Sequence, residues 1–139
     1  MDRNLRAEAL TDDDGAPPAP PCLKICCIAS EKEAQIAIRR GAWAIGLVSA
    51  MPSGPGVIPE EMIAEIVASV PSGVATFLLT SNRDADTIIA QQRRSGVDTI
   101  QLCDRQAPRV MSTLRDALPA VRLVQVVHVV DESAIEEAS

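Results

Sequence analysis

Aromatic residues are almost missing from this chain: it has no tyrosine, one phenylalanine, one tryptophan and a single histidine. A core of any size must therefore be built from Ala, Ile, Leu and Val, which supply most of a 47% hydrophobic content. Cations are scarce too. Thirteen Lys and Arg stand against nineteen Asp and Glu, for a net charge of −6. That balance argues against non-specific binding to nucleic acid or to an anionic membrane surface, both of which reward basic patches. No apolar run approaches the ~20 residues that cross a bilayer. The first residues, Met1-Asp2-Arg3-Asn4-Leu5-Arg6, are charged and lead into acid and proline, so they do not read as a secretory signal. Four cysteines, Cys22, Cys26, Cys27 and Cys103, are too few and too clustered for a disulfide framework. Reduced thiols in a cytoplasm are the expectation.

What is present falls into two parts. Residues 1–21 include Thr11-Asp12-Asp13-Asp14-Gly15 and the proline-rich Ala16-Pro17-Pro18-Ala19-Pro20-Pro21. This composition buries little and predicts a disordered or polyproline II tail. Residues 22–139 are rhythmic and form the expected domain, which a chain of 139 residues can furnish with a core. Apolar runs at Leu23–Ile28, Ala44–Ser49, Val74–Thr80, Thr99–Cys103 and Leu123–Val130 read as strands. Between them lie helical patterns. Ser30 and Glu33 form a capping box at the start of the first helix, which runs to about Arg40. Pro59-Glu60-Glu61 places proline and acids in the first turn of the second. Asp84 to Ser95 ends in Arg93-Arg94 before a C-cap Gly96, and a fourth helix runs from about Ala107 to Leu118. A fifth starts near Asp131, read as its N-cap.

Strands dense in Ile, Val and Leu, each followed by a helix, predict a parallel α/β sheet. Its architecture is either doubly wound or a (β/α)8 barrel. In both, ligands gather at the C-terminal ends of the strands. Cys26 stands at such an end, where the first strand turns into the first helix. Lys24 shares its face of the strand, since residues i and i+2 align. Gln101 lies on the same side of the fourth strand as Thr99 and Cys103.

The blander readings are plain. A free cysteine is commonly a small buried hydrophobe. A strand lysine serves structure by pairing with a carboxylate, and an interior glutamine is as readily a satisfied amide. His128 reads as a polar rim residue at the end of the fifth strand. Cys22, Cys26 and Cys27 lack the Cys-x-x-Cys spacing of a zinc site. Gly54-Pro55-Gly56 lacks the Walker lysine and the dinucleotide glycine spacing.

Lys24-Ile25-Cys26-Cys27-Ile28 resembles the Lys-Ile-Cys-Gly-Ile start of the phosphoribosylanthranilate isomerase family. The likeness continues in order. Gly41-Ala42-Trp43-Ala44-Ile45-Gly46-Leu47-Val48 is similar to Gly-Ala-Asp-Ala-Ile-Gly-Phe-Val, Ile58-Pro59-Glu60-Glu61 to Ile-Ser-Pro-Glu, and Thr99-Ile100-Gln101-Leu102 to a Val-Gln-Leu-His strand. The resemblance implies a (β/α)8 TIM barrel, of which this chain holds the first four to five βα units. It also implies an Amadori rearrangement of an aminoaldose phosphosugar in tryptophan biosynthesis, without a cofactor or metal. Cys26 stands at the family's general base, with Lys24 and Gln101 as candidate substrate contacts. A thiolate can act as base, and the Lys24 ammonium favours it electrostatically.

The departures are as specific as the matches. The family's glycine after the base is Cys27 here. Its carboxylate-binding arginine has no counterpart in Met51-Pro52-Ser53-Gly54-Pro55-Gly56-Val57, and its histidine and glycine after Gln-Leu are Cys103 and Asp104. A complete barrel needs ~200 residues or more. The expectation is therefore a fragment or truncated product that ends before the family's general acid, an aspartate, and before its phosphate loops. Two alternatives stand beside the isomerase: a related barrel with another phosphosugar-like substrate, and a catalytically incomplete remnant that self-associates through open sheet edges.

Overall fold

The computed structural model describes residues 19–139. Of the expected tail 1–21, residues 1–18 lie outside the described residues, and 19–22 carry no regular secondary structure. Five βα units follow: β1 (Leu23–Ile25), α1 (Glu31–Arg39), β2 (Ala42–Val48), α2 (Glu60–Ser69), β3 (Ala75–Thr80), α3 (Ala85–Ser95), β4 (Thr99–Leu102), α4 (Pro108–Ala117), β5 (Arg122–Gln125) and α5 (Ser133–Ala138).

All four strand pairings are parallel, and the spatial order is the sequence order, β1-β2-β3-β4-β5. Helices α1 to α4 pack side by side in the same order. A doubly wound sheet reverses its strand order at a switch point. Sequential order with neighbouring helices in one row is barrel winding instead, which settles the choice the sequence leaves open.

The helices cover one face of the sheet. Ile45, Leu47, Leu78, Ile100 and Leu102 point into that layer and meet Ile63, Ile66, Ile88 and Leu114, all fully or almost fully buried. The opposite, inner face carries a small cluster of Ala44, Ala75 and Phe77 with Leu79 packed on it. The pleat assigns the two sets, because alternate residues face opposite ways.

One irregularity breaks that alternation. Leu23 pairs with Ala42 and Lys24 with Ala44, so Trp43 is an extra residue in β2. Such a bulge re-aims a side chain. Here Ala42 joins the helix-side core, while the Trp43 ring lies against inner-face Phe77 in an edge-to-face contact, with ring centroids 6.3 Å apart. Arg122 of β5 stands over the indole at 6.0 Å and reaches Asp98 at 3.5 Å.

The helix signals act largely as expected. Ser30 Oγ accepts from Glu33 N while Glu33 Oε2 accepts from Ala29 N, both halves of a capping box. Asp84 caps α3, and Gly96 ends it in the left-handed region. Two starts differ. Pro59 is the N-cap of α2 rather than a residue of its first turn. Asp131 precedes the α5 N-cap, Glu132, and its Oδ1 accepts from the backbone and hydroxyl of Ser133 in a turn. These two bonds hold the Asp131 carboxyl below its ordinary value. β1 and β5 are shorter than their apolar runs, ending at Ile25 and Gln125 instead of Ile28 and Val130. Each is an edge strand with a neighbour on one side only, so less of the run is held in the ladder. No helix among the described residues is long and apolar enough to cross a membrane.

Candidate functional site at the C-terminal rim

Three side chains come together on the inner face just below the C-terminal ends of the strands. Lys24 Nζ donates to Gln101 Oε1 at 2.5 Å, reaching across β2 and β3 to do so. Its ammonium lies 4.6 Å from the centroid of the Phe77 ring, over which it passes. A cation against an aromatic face and a neutral acceptor are both favourable partners. The carboxylate that a strand lysine was expected to seek is replaced by an amide. Lys24 satisfies the side-chain oxygen of Gln101.

Cys26 follows β1 directly and is exposed. Its position is set by Gly46 on the neighbouring strand. A Cβ at Gly46 would stand 2.8 Å from Cys26 Sγ, 3.2 Å from Cys26 Cα and 3.3 Å from Leu79 Cδ1. Gly46 shares the inner face with Ala44, so the missing side chain is the space the thiol occupies. Ile28 N donates to Gly46 O at 3.2 Å, tying the β1–α1 connection to β2 just beyond Cys26.

Cys27 faces elsewhere. It adopts φ 60°, the one non-glycine residue with positive φ among the described residues. Its side chain packs on Gly56 of the β2–α2 loop: a Cβ at Gly56 would come within 2.7 Å of Cys27 Cβ and Sγ. The thiol lies 3.7 Å from Pro55 O. The left-handed conformation disfavours any residue with a Cβ. The signal for it was in the sequence, because the resembling family places glycine there.

Cys103 completes the inner-face group. Its Sγ lies 3.8 Å from Gln101 O. Burial chiefly, and then the Asp104 carboxylate, push its thiol above the ordinary 9.0, while the Lys24 ammonium acts the other way. Cys26 also adds to the upward shift, so Lys24 and Cys26 both lie close enough to act on Cys103. At neutral pH Cys103 is a thiol, a hydrogen-bonding and packing group rather than a base.

The loops around this group are held by a network that the sequence reading missed. Gln91 Nε2 donates to Glu60 Oε1 at 3.0 Å, and Gln91 Oε1 accepts from Thr80 Oγ1 at 2.9 Å and Asn82 Nδ2 at 3.0 Å. Gln106 Nε2 donates to the backbone carbonyls of Asn82 and Asp104, and Gln125 Nε2 donates to those of Leu102, Asp104 and Val126. His128 lies beyond β5 in a loop, with Nε2 3.2 Å from Cys103 O. Amides therefore staple the β3–α3, β4–α4 and β5–α5 connections to one another. Glutamine is common in helices and loops for other reasons, and no spacing in the sequence marks these three. Among the described residues no three His, Cys, Asp or Glu side chains form a group that could hold a metal ion.

No family model matches the chain. Curated relatives do. An N-(5'-phosphoribosyl)anthranilate isomerase from Thermosynechococcus vestitus is 26% identical over 112 residues, covering 81% of this chain and 48% of that protein. One from Pelobacter propionicus is 30% identical over 114 residues, covering 82% and 52%. Among solved structures, phosphoribosylanthranilate isomerase from Thermotoga maritima superposes with a TM-score of 0.75 at 21% identity, covering 84% of this chain and 55% of that one. A structure of the enzyme in complex with reduced 1-(o-carboxyphenylamino)-1-deoxyribulose 5-phosphate gives 0.76, also at 21% identity, covering 84% and 58%. The chain spans about half the length of the curated relatives it matches. With five parallel βα units wound in sequence order, it is a divergent relative of the N-(5'-phosphoribosyl)anthranilate isomerases.

Proposed function

We propose that this chain supplies the base half of an aldose–ketose isomerase site, and that Cys26 is the base. In the Amadori reaction an acid protonates the furanose ring oxygen as the ring opens, and a base removes the proton from the second carbon of the sugar. The observation that carries the reading is the seat of Cys26. An exposed thiol follows a barrel strand at the C-terminal rim, with a glycine cleared beneath it and a lysine ammonium on the same face. A thiolate is a competent base. The Lys24 ammonium lies on the same face of the sheet, and Gln101 and Phe77 fix where its charge lies.

The substrate class is an aminoaldose carrying a phosphate. This rests on the named relatives and on the likeness of the rim, not on a phosphate site within the described residues. The β2–α2 loop, Met51 to Val57, carries no cation. That favours a substrate whose amine substituent is less acidic than an anthranilate carboxylate. The general acid is to come from a strand beyond β5.

Turnover of phosphoribosylanthranilate and of aminoaldose phosphates with neutral amine substituents is the direct test. Cys26→Ala is expected to lower kcat by about 10²- to 10⁴-fold, the range that one positioned base contributes. Wild-type turnover in that variant eliminates the role. No turnover in the unaltered chain favours the second reading, a half-barrel that works only through its open edges. That reading has its own support: Val129, Val130 and Ile135 near the β5 edge are 80%, 89% and 70% exposed.

A further inference from the structure

Sequence alone makes the single histidine, His128, a polar rim residue, and the chemistry assigned to Cys26 leaves it unused. Its surroundings give it a further part. His128 is exposed and lies in the connection from β5 to α5. The valines on either side of it, Val127 and Val129, line an apolar groove with Ala134 and Ile135 of α5. The imidazole reaches elsewhere: its Nε2 lies 3.2 Å from Cys103 O, just past the C-terminal end of β4. The connection therefore alternates, with valines toward the helix and the ring toward the rim where Lys24 and Cys26 act on Cys103. The backbone that carries the ring is fixed. Val126 N donates to Leu102 O at 2.9 Å, and Gln125 Nε2 donates to the carbonyls of Leu102, Asp104 and Val126 at 3.0–3.1 Å.

A carbonyl oxygen only accepts, so the ring nitrogen that faces Cys103 O carries the proton. The partner thus selects the tautomer. The neutral imidazole is protonated at Nε2 and keeps its lone pair at Nδ1. Among the described residues nothing bonds to Nδ1. An exposed histidine pinned in this way presents one oriented acceptor at the rim, and a group held by its neighbours before a ligand arrives loses little freedom on binding. We infer that His128 is a substrate-binding residue of the proposed isomerase site, with Nδ1 accepting a hydrogen bond from a hydroxyl of the open-chain sugar. Chemistry selects the hydroxyl. The neutral Nδ1 cannot donate, so a phosphate or carboxylate oxygen finds no partner there, whereas an opened sugar offers several O–H donors. Cys26 beyond β1 then works on the second carbon while His128 beyond β5 holds a hydroxyl further along the chain. The identity of the ligand rests on the isomerase reading, but not on Cys26 being the base.

The test is binding to the 139-residue chain, followed by calorimetry and by NMR of the ring nitrogens. The probes are reduced 1-phenylamino-1-deoxyribulose 5-phosphate and the same compound without its phosphate. The free chain should show the Nε2–H tautomer, and the Nδ1 signal should move when either probe is added. Two variants separate contact from support, because a glutamine amide reaches where Nε2 stands and an asparagine amide where Nδ1 stands. His128→Gln should keep the bond to Cys103 O and the Tm, yet bind both probes about 3- to 10-fold more weakly, the net worth of one hydrogen bond. His128→Asn should retain most of the affinity. The reverse order, with His128→Gln binding like the unaltered chain and His128→Asn weak, means that the ring acts only through Cys103 O and overturns the inference. So does an effect of His128→Gln that vanishes with the phosphate, which marks an anion contact, and so does a failure of the unaltered chain to bind either probe. Cys26→Ala should leave both probes bound. Wild-type turnover in that variant therefore removes the base role alone, and unchanged binding in His128→Gln removes this role alone.

Discussion

The middle of the sheet and its two margins are made of the same residues and behave differently. β2, β3 and β4 each have a strand on both sides and helices over one face, and Ile45, Leu47, Leu78 and Ile100 are 0–1% exposed. β1 and β5 have one strand neighbour each; Leu23, Ile25 and Val124 are 39–49% exposed. All of these are β-branched or aliphatic residues in parallel strands. What separates them is whether a second element arrives to cover them. Burial therefore belongs to the neighbourhood, not to the residue, and stability should be read the same way.

That contrast sets the largest predicted effect. Leu47→Ala empties a fully buried site under the helices and should cost about 3–5 kcal/mol by urea unfolding, since large-to-small core changes add a cavity to the lost transfer energy. Leu23→Ala on the margin should cost under about 1 kcal/mol. Equal losses at both would break the comparison. Next comes Gly46→Ala, on the inner face of a central strand. It drives a methyl into Cys26, and part of the obstruction is Cys26 backbone, so a loss of about 1–3 kcal/mol is expected, as for overpacking elsewhere. The Cys26→Ala background should recover only part of it.

Smaller effects sharpen the picture at the rim. Cys27→Gly removes the Cβ that makes φ 60° unfavourable, a penalty of roughly 1–2 kcal/mol. Glycine gives back about 0.4–1 kcal/mol through the freer unfolded chain. A net gain of up to about 1 kcal/mol in the chemical midpoint is expected, and a loss would mean that the contact with Gly56 outweighs the strain. The smallest effect is in pH. Burial acts to raise the Glu60 carboxyl, but its bonds from Gln91 and Arg94 and the Arg94 charge together outweigh that and hold it below 4.5. A lowered folded value means that the unfolded chain binds the proton more readily. The contribution is present above pH 4.5 and is lost as pH falls through the folded value. Comparing acid unfolding of the chain with that of Glu60→Gln checks the sign: the variant should lose less stability as the pH falls below 4.5.

The fold was legible because strand and helix periods alternate cleanly and the caps are strong. Ser30 with Glu33, Asp84 and Gly96 each satisfy backbone groups locally, and local chemistry is what a sequence displays. The fifth strand was overextended for a related reason. Val126-Val127-His128-Val129-Val130 has a strand's composition, but the ladder stops near Gln125, and composition cannot reveal that a run lies beyond the last paired edge. Around the strand ends, the place of Cys26 after β1 and the inner-face positions of Lys24 and Gln101 were readable from the strand pattern. That Lys24 would meet Gln101 was not, because the two lie on strands separated by two others and are brought together by the curl of the sheet. Trp43 was hidden by a bulge, a register event between two strands that neither shows alone. The Glu60–Gln91–Thr80 chain joins three elements far apart in sequence and leaves no periodic trace.

The clearance beneath Cys26 has an evolutionary reading. Position 46 is occupied by an absence, and a methyl there would stand 2.8 Å from the sulfur and 3.2 Å from its α-carbon. A lineage that enlarges residue 46 while the thiol remains meets a barrier. One that first trims residue 26 still meets the backbone behind it. The two positions are thus bound in an order of change, with the strand-end backbone moving before residue 46 can be enlarged, whatever stands at residue 26. Descendants that abandon the thiol should keep the glycine long after its first purpose is gone.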